Sequence, residues 1–183
     1  MKVAYAGAPG AHGEEAARTV EGGEPVPYPS FAEVLRAVEA GEVELGVLPL
    51  HNSRVGMVEE VVRLLARAPV QVTDRLGLRI HQCLLGLPGT RLEDIQRVTS
   101  HPHALAQCSR FLARRDWVLV PAENTAIAAR DLAQERTAGT AAVASRRAAT
   151  LYGLQLLAED IEDDGENTTR FAVVRRAPGV GAR

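Results

Sequence analysis

The sequence predicts an α/β protein of two lobes, and three observations carry that prediction. Short apolar runs of strand length alternate with helical stretches that open on Ser, Thr or Asn caps along the whole 183-residue chain. Between residues 96 and 153 the order strand, helix, strand, helix implies a parallel sheet with right-handed crossovers. A final apolar run, residues 171–175, adds a last strand after a long return. The chain then crosses twice between lobe 1, residues 1-75 plus 166-183, and lobe 2, residues 76-165. A cleft between such lobes is a common place for a ligand.

In chain order, Val3-Ala4-Tyr5-Ala6 is the first strand and runs into Gly7-Ala8-Pro9-Gly10-Ala11-His12-Gly13, after which residues 14–20 read as a helix. A glycine-rich turn between strand and helix can aim backbone N–H groups at an anion, with the helix dipole adding to the attraction. The same residues also suit a plain tight turn. Ser30 is an N-cap for a second helix, Glu33 completes a capping box, and the helix ends near Gly41. Residues 43–50, mostly apolar, form a buried strand. The loop from His51 to Gly56 follows at its carboxyl end, where open α/β sheets bind ligands. Asn52 donates and accepts, and Ser53 does both through one hydroxyl, so the pair can hold a hydroxyl and a carboxylate of one ligand. Either residue serves equally well as the cap of a helix over 57–68.

Residues 70–83 read as an extended crossing segment carrying Arg75, Arg79 and His81, followed by a short helix from Leu92. Pro102 suits the first turn of a helix over 103–114, with Ser100 or His101 at its N-terminus. His101 and His103 lack the carboxylate or third ligand that a metal centre requires, so no metal is expected there. A strand over 117–120, an Asn124-Thr125 cap for a helix over 126–134, a buried strand over 140–144 and a Ser145-capped helix ending at Gly153 complete this part. Thr125 and Ser145 thus stand at helix N-termini on the carboxyl side of one sheet, as caps or as ligand contacts. Residues 154–161 return the chain towards lobe 1. An acidic turn, Glu162-Asp163-Asp164-Gly165-Glu166, then leads into Asn167-Thr168-Thr169-Arg170-Phe171. Two hydroxyls and a permanent cation delivered straight into a strand put reactive polar groups on a rigid sheet edge.

Composition narrows the function. An apolar fraction of 46% with 24% charged residues is that of a folded globular chain. A formal charge of -2 offers no basic field to a polyanion, so nucleic acid is not an expected partner. Of the 21 cationic residues only Lys2 is a lysine, so positive charge here means guanidinium, which grips carboxylates in a fork. Cys83 and Cys108 lie in apolar stretches without metal-ligand spacing, which predicts buried reduced thiols and a cytoplasmic setting. No run reaches the roughly 20 apolar residues needed to span a bilayer, and no signal core opens the chain, so no membrane is expected. The glycine-rich tail from Pro178 is expected to fray.

Five stretches in order resemble one family. Asn167-Thr168-Thr169-Arg170-Phe171 is similar to the Thr-Arg-Phe signature of prephenate dehydratases, and Gly7-Ala8-Pro9-Gly10 to their N-terminal glycine motif. Val47-Leu48-Pro49-Leu50-His51-Asn52-Ser53 resembles their Pro-x-Glu-Asn-Ser loop. The segments from Ile80 to Gly86 and from Ser100 to Cys108 resemble their two central segments. The likeness runs from residue 3 to residue 174.

That resemblance implies a two-lobed fold like type II periplasmic binding proteins, no cofactor, and a small-molecule substrate, prephenate. It implies Thr169 as the catalytic donor to the leaving hydroxyl and Arg170 as the carboxylate clamp. Asn52, Ser53 and the Gly10-Ala11 turn are supporting donors, and Phe171 packs behind them. His101 and Thr125 are the contacts expected from lobe 2. A homodimer is implied as well. Family members often continue into a regulatory (ACT) domain that binds phenylalanine; only 12 residues follow Phe171 here, so the likeness is to the catalytic domain alone and regulation would need a separate polypeptide. Ala11, His12 and Gly13 stand where the family has hydroxyl and aromatic side chains, His51 replaces its glutamate, Met57 stands where it often has serine, and Val55 also departs. Those departures keep open arogenate as substrate, decarboxylation without dehydration, and a non-catalytic module that binds an aromatic metabolite.

Overall fold

The computed structural model describes residues 1–179; of the tail expected to fray, residues 180–183 lie outside the described residues. The chain divides into two compact units. The first comprises Met1–Ala8, His12–Ile80 and the chain from Glu166 on, and the second Pro9–Ala11 and His81–Gly165.

The first unit is built on β1 (Lys2–Ala6), β2 (Glu24–Tyr28), β3 (Leu45–Asn52), β4 (Gly56–Met57), β5 (Val70–Arg79) and β11 (Thr168–Arg176). These form one sheet in the order β2-β1-β3-β11-β5, with β4 paired on β3. The strands β1, β2 and β3 run parallel, whereas β11 is antiparallel to both β3 and β5. Alternation along the strands splits the core in two. Val3, Tyr5, Val47, Phe171 and Val173 bury one face under Ala16 and Ala17 of α1 (His12–Thr19). Ala4, Leu48, Ala172 and Val174 bury the other under α2 (Phe31–Ala40) and α3 (Glu59–Leu65). Gly46 permits the close approach of α2, since a Cβ there would meet the Val34 side chain at 2.9 Å and Val38 at 3.1 Å.

The Ser30 hydroxyl accepts from Glu33 N at 3.2 Å as a cap should, but the Glu33 carboxylate pairs with Arg36, so the expected capping box is only half formed. Beyond residue 50 the chain also differs from expectation. The strand continues to Asn52, and Gly56 and Met57 fold back to pair with Asn52 and His51. The following helix therefore starts at Glu59, behind Val58 with no side-chain cap, and neither Asn52 nor Ser53 caps it.

The second unit has β6 (Cys83–Gly86), β7 (Arg97–Ser100), β8 (Val118–Pro121), β9 (Thr140–Ala144) and β10 (Gln155–Ala158) in the order β10-β6-β9-β7-β8. The expected parallel core is present as β7 between β8 and β9, with β6 antiparallel to β9 and β10. Its helices are α4 (Pro102–Gln107), α5 (Ser109–Leu112), α6 (Thr125–Glu135) and α7 (Arg146–Tyr152). The sequence predicts one helix where α4 and α5 stand. The break at Cys108 receives Asp163, whose carboxylate accepts from Ser109 Oγ at 2.6 Å and Arg110 N at 2.9 Å, while Asp163 N donates to Gln107 O at 2.7 Å. Cys83 and Cys108 are fully buried, and burial is the main cause that pushes both thiols up. Among the described residues no helix is long and apolar enough to cross a membrane.

Candidate active site

In the first unit the start of β11 meets the end of β3. Thr169 lies directly across from Asn52 and Arg170 from His51. Thr168 N donates to Ser53 Oγ at 3.0 Å, Ser53 N donates to Thr168 O at 2.9 Å, and Ile80 N donates to Asn167 O at 2.8 Å. These bonds fix the segment on both sides. Asn52 Nδ2 then donates to Asn167 Oδ1 at 2.8 Å and to Thr169 Oγ1 at 2.9 Å. Its Oδ1 accepts from Arg54 N at 2.9 Å and Val55 N at 3.2 Å, which closes the loop into a turn around the side chain. Both Asn167 (1% exposed) and Thr169 (8% exposed) are buried.

Just beyond Arg170 the register slips. Phe171 faces Pro49, so Leu50 has no partner on β11. Pro49 has no N–H to give to the ladder, and a bulge is where a sheet tolerates that residue. Phe171 is 3% exposed and packs with Val3, Tyr5 and Val47, behind the polar cluster as expected. Arg170 is exposed and faces Gly77 on β5, where no side chain shields it. Arg79 pairs with Glu166 at 3.3 Å, whereas Arg170 has no carboxylate partner among the described residues. Thr169, Arg170, Phe171, Asn52 and Ser53 are thus brought together.

Gly10, Ala11, His101 and Thr125 belong to the second unit, at the carboxyl ends of its parallel strands. Gly10 has φ 92, and a Cβ on it would meet Ala148 at 3.1 Å. Its carbonyl accepts from Ser145 Oγ at 2.6 Å, and Ser145 Oγ accepts from Ala148 N at 3.1 Å. Tyr152 Oη donates to Pro9 O at 2.5 Å, so the turn is tied to α7 at two carbonyls. The sequence puts Gly10 in the lobe of Asn52; these bonds group it with α7 instead. His101 is the N-cap of α4: its Nδ1 accepts from His103 N at 3.1 Å. Burial, and then the neighbouring His103, lower its basicity, which keeps that acceptor neutral. Asn124, not Thr125, caps α6, through Oδ1 to Ile127 N at 2.8 Å. Thr125 is the first helical residue and half-buried.

Two features escape the sequence reading. Asn167, read as the first residue of its motif with no role of its own, stands two residues before Thr169, and period-two spacing next to a strand is the signal that puts both side chains on one side. His81 Nδ1 lies 3.0 Å from both Asp160 and Glu162 carboxylates, a group of donors with the chemistry to hold a cation. Nothing in the spacing of those three residues marks them.

The likeness to known proteins extends over the whole chain. A family model described as prephenate dehydratase matches residues 3–179. Arogenate dehydratase 1 of Petunia hybrida is 42% identical over 181 residues, covering 97% of this chain and 43% of the relative, so the chain spans less than half the length of that protein. The prephenate dehydratase of Arthrobacter aurescens, solved with L-Phe, superimposes with a TM-score of 0.90 at 28% identity, covering 100% of this chain and 63% of that one. The structure titled GqqA, a novel type of quorum quenching acylases, gives 0.89 at 35% identity over 98% of this chain and 65% of that one. A looser likeness, TM-score 0.53 at 12% identity over 100% of this chain and 87% of that one, to a nutrient binding protein of Burkholderia cenocepacia shows the binding-protein fold alone. With a match over nearly its whole length and relatives of the same kind, the chain belongs to the prephenate dehydratase family.

Proposed function

We propose that this chain catalyses the decarboxylating dehydration of prephenate, with Thr169 as the donor to the departing hydroxyl. The observation that carries this is the bond from Asn52 Nδ2 into Thr169 Oγ1 at 2.9 Å. A threonine hydroxyl has one proton to give. With its oxygen already accepting, and no acceptor for its proton among the described residues, that proton is left for a ligand.

The chemistry needs little more. The bond from ring to carboxylate breaks and its electrons move into the ring, while the C–O bond to the ring hydroxyl breaks at the opposite position. Carbon dioxide and water leave, and the aromatic ring of phenylpyruvate remains. Aromatisation drives the reaction, so the protein must orient a dianion and help hydroxide depart as water. Thr169 is too weak an acid to surrender a proton unaided; it polarises the leaving oxygen and relays a proton that solvent replaces. Arg170, exposed and without a carboxylate partner among the described residues, is suited to a substrate carboxylate, and Ser53, bonded to Thr168, is the supporting donor proposed with it. Gly10, Ala11, His101 and Thr125 are the proposed contacts from the second unit. A homodimer, as the resemblance implies, and a cytoplasmic setting, as two buried thiols suggest, belong to the same proposal.

Arogenate, which carries an amine where prephenate has a keto oxygen, undergoes the same bond changes. It is the second reading, because the Petunia relative is an arogenate dehydratase by name. Both are tested by incubating purified protein with each substrate and following phenylpyruvate or phenylalanine with substrate loss. Product from either substrate supports the dehydratase, and the ratio of the two values of kcat/KM assigns the substrate. Substrate loss without aromatic product would show decarboxylation alone, and binding without loss would show a non-catalytic module.

A further inference from the structure

We propose that Asn167 is a positioning residue of this site: by accepting one N–H of Asn52 it holds that amide with its nitrogen on Thr169, which turns the Thr169 proton outward. The inference rests on the dehydratase reading above.

The argument is a count of hydrogen bonds. A carboxamide has two N–H donors and one oxygen with two lone pairs. On Asn52 the oxygen faces Arg54 N and Val55 N, which can only donate. That fixes which end of the amide is which, without reference to how an isolated side chain would be assigned. The nitrogen therefore faces Asn167 Oδ1 and Thr169 Oγ1, and both N–H groups are used. Thr169 Oγ1 must accept, and its proton cannot point at Asn52.

Asn167 shares the holding of that amide with Arg54 N and Val55 N, and it takes the second N–H beside the one on Thr169. At 1% exposed it offers an acceptor where no water competes, and an Asn52 N–H left without it would be a buried unpaired donor. Ile80 N bonds Asn167 O at 2.8 Å, so the residue is itself held in place by the backbone rather than by its ligand. Asn52, with four internal side-chain hydrogen bonds, acts through Thr169.

The test is kinetic, with three variants beside the parent: Asn167→Leu, Asn167→Asp and Asn52→Asp. Removing the acceptor in Asn167→Leu is expected to lower kcat about 100-fold with KM within about threefold, the pattern of an interaction felt only in the transition state. Asn167→Asp keeps an accepting oxygen and should retain kcat within about tenfold of the parent. Asn52→Asp replaces the donating nitrogen by an oxygen that captures the Thr169 proton, so kcat should fall about 100-fold in a near-isosteric variant. Unchanged kcat in Asn167→Leu, or equal losses in Asn167→Leu and Asn167→Asp at equal melting temperature, would overturn the proposal. Should Asn167→Leu not fold, a kcat in Asn167→Asp more than about tenfold below the parent's, or an unchanged kcat in Asn52→Asp, would overturn it. A parent that turns over neither prephenate nor arogenate would overturn the dehydratase reading instead. The positioning claim is then read from the Asn52 side-chain amide in a ¹H–¹⁵N spectrum, which should move in Asn167→Leu and stay put in Asn167→Asp; no difference between them overturns it.

Discussion

Two buried hydroxyls, Ser145 in the second unit and Thr169 in the first, look alike in sequence and differ in structure. Each lies where a loop meets a regular element. Ser145 Oγ donates to Gly10 O and accepts from Ala148 N, so both its functions are consumed by the fold. Thr169 Oγ1 accepts from Asn52 and has no internal acceptor for its proton among the described residues. A hydroxyl spent on structure and one kept for chemistry are thus told apart by where the proton goes, not by burial, since both are below a tenth exposed.

The sharpest way to break that contrast is to remove each hydroxyl in turn. Thr169→Val keeps the shape and should cost about 100- to 1,000-fold in kcat, as loss of one preorganised donor does, with a stability loss of about 1 kcal/mol because the Asn52 N–H loses its acceptor. Ser145→Ala should do the reverse. It removes a helix cap and leaves the Gly10 carbonyl without its donor, so a loss of about 2 kcal/mol in denaturant unfolding is expected. Comparable losses of kcat in the two variants would end the distinction. Gly10→Ala probes the partner of Ser145. At φ 92 with Ala148 at 3.1 Å the methyl is both strained and crowded, and a loss of about 1–3 kcal/mol should follow, measured the same way.

The same contrast explains what was legible in the sequence. Ser30, Asn124, Ser145 and Pro102 act through their nearest neighbours in the chain, and all four hold the helix starts expected of them. The β9 strand is where its apolar run puts it. What the sequence hides depends on contacts distant along the chain. Asn52 reads as a helix cap or a ligand donor, because its true partners lie 115 and 117 residues away. The helix over 103–114 reads as one because the acid that divides it, Asp163, arrives from 54 residues downstream of Ser109. Gly10 sits beside the first strand in sequence, yet its carbonyl is claimed by Ser145, 135 residues on. Thr169 and Arg170 stand out for the opposite reason: two hydroxyls and a permanent cation adjacent in one short segment are legible without any fold.

A last, smaller effect separates the units by pH. His101 caps α4 through a neutral Nδ1, and burial lowers its basicity below the ordinary value of 6.5. Between its folded and unfolded values the folded chain therefore holds fewer protons than the unfolded one. Stability is full above about pH 6.5, falls as pH drops through that window, and stops falling once both states are protonated. Protonation also converts the Nδ1 that accepts from His103 N into a donor, so the cap is lost with the charge. His101→Asn supplies a cap of the preferred type without the titration. Its melting temperature should change less than the parent's between about pH 7.5 and pH 5.5, and an equal slope in the two proteins would show that the acid sensitivity arises at another group.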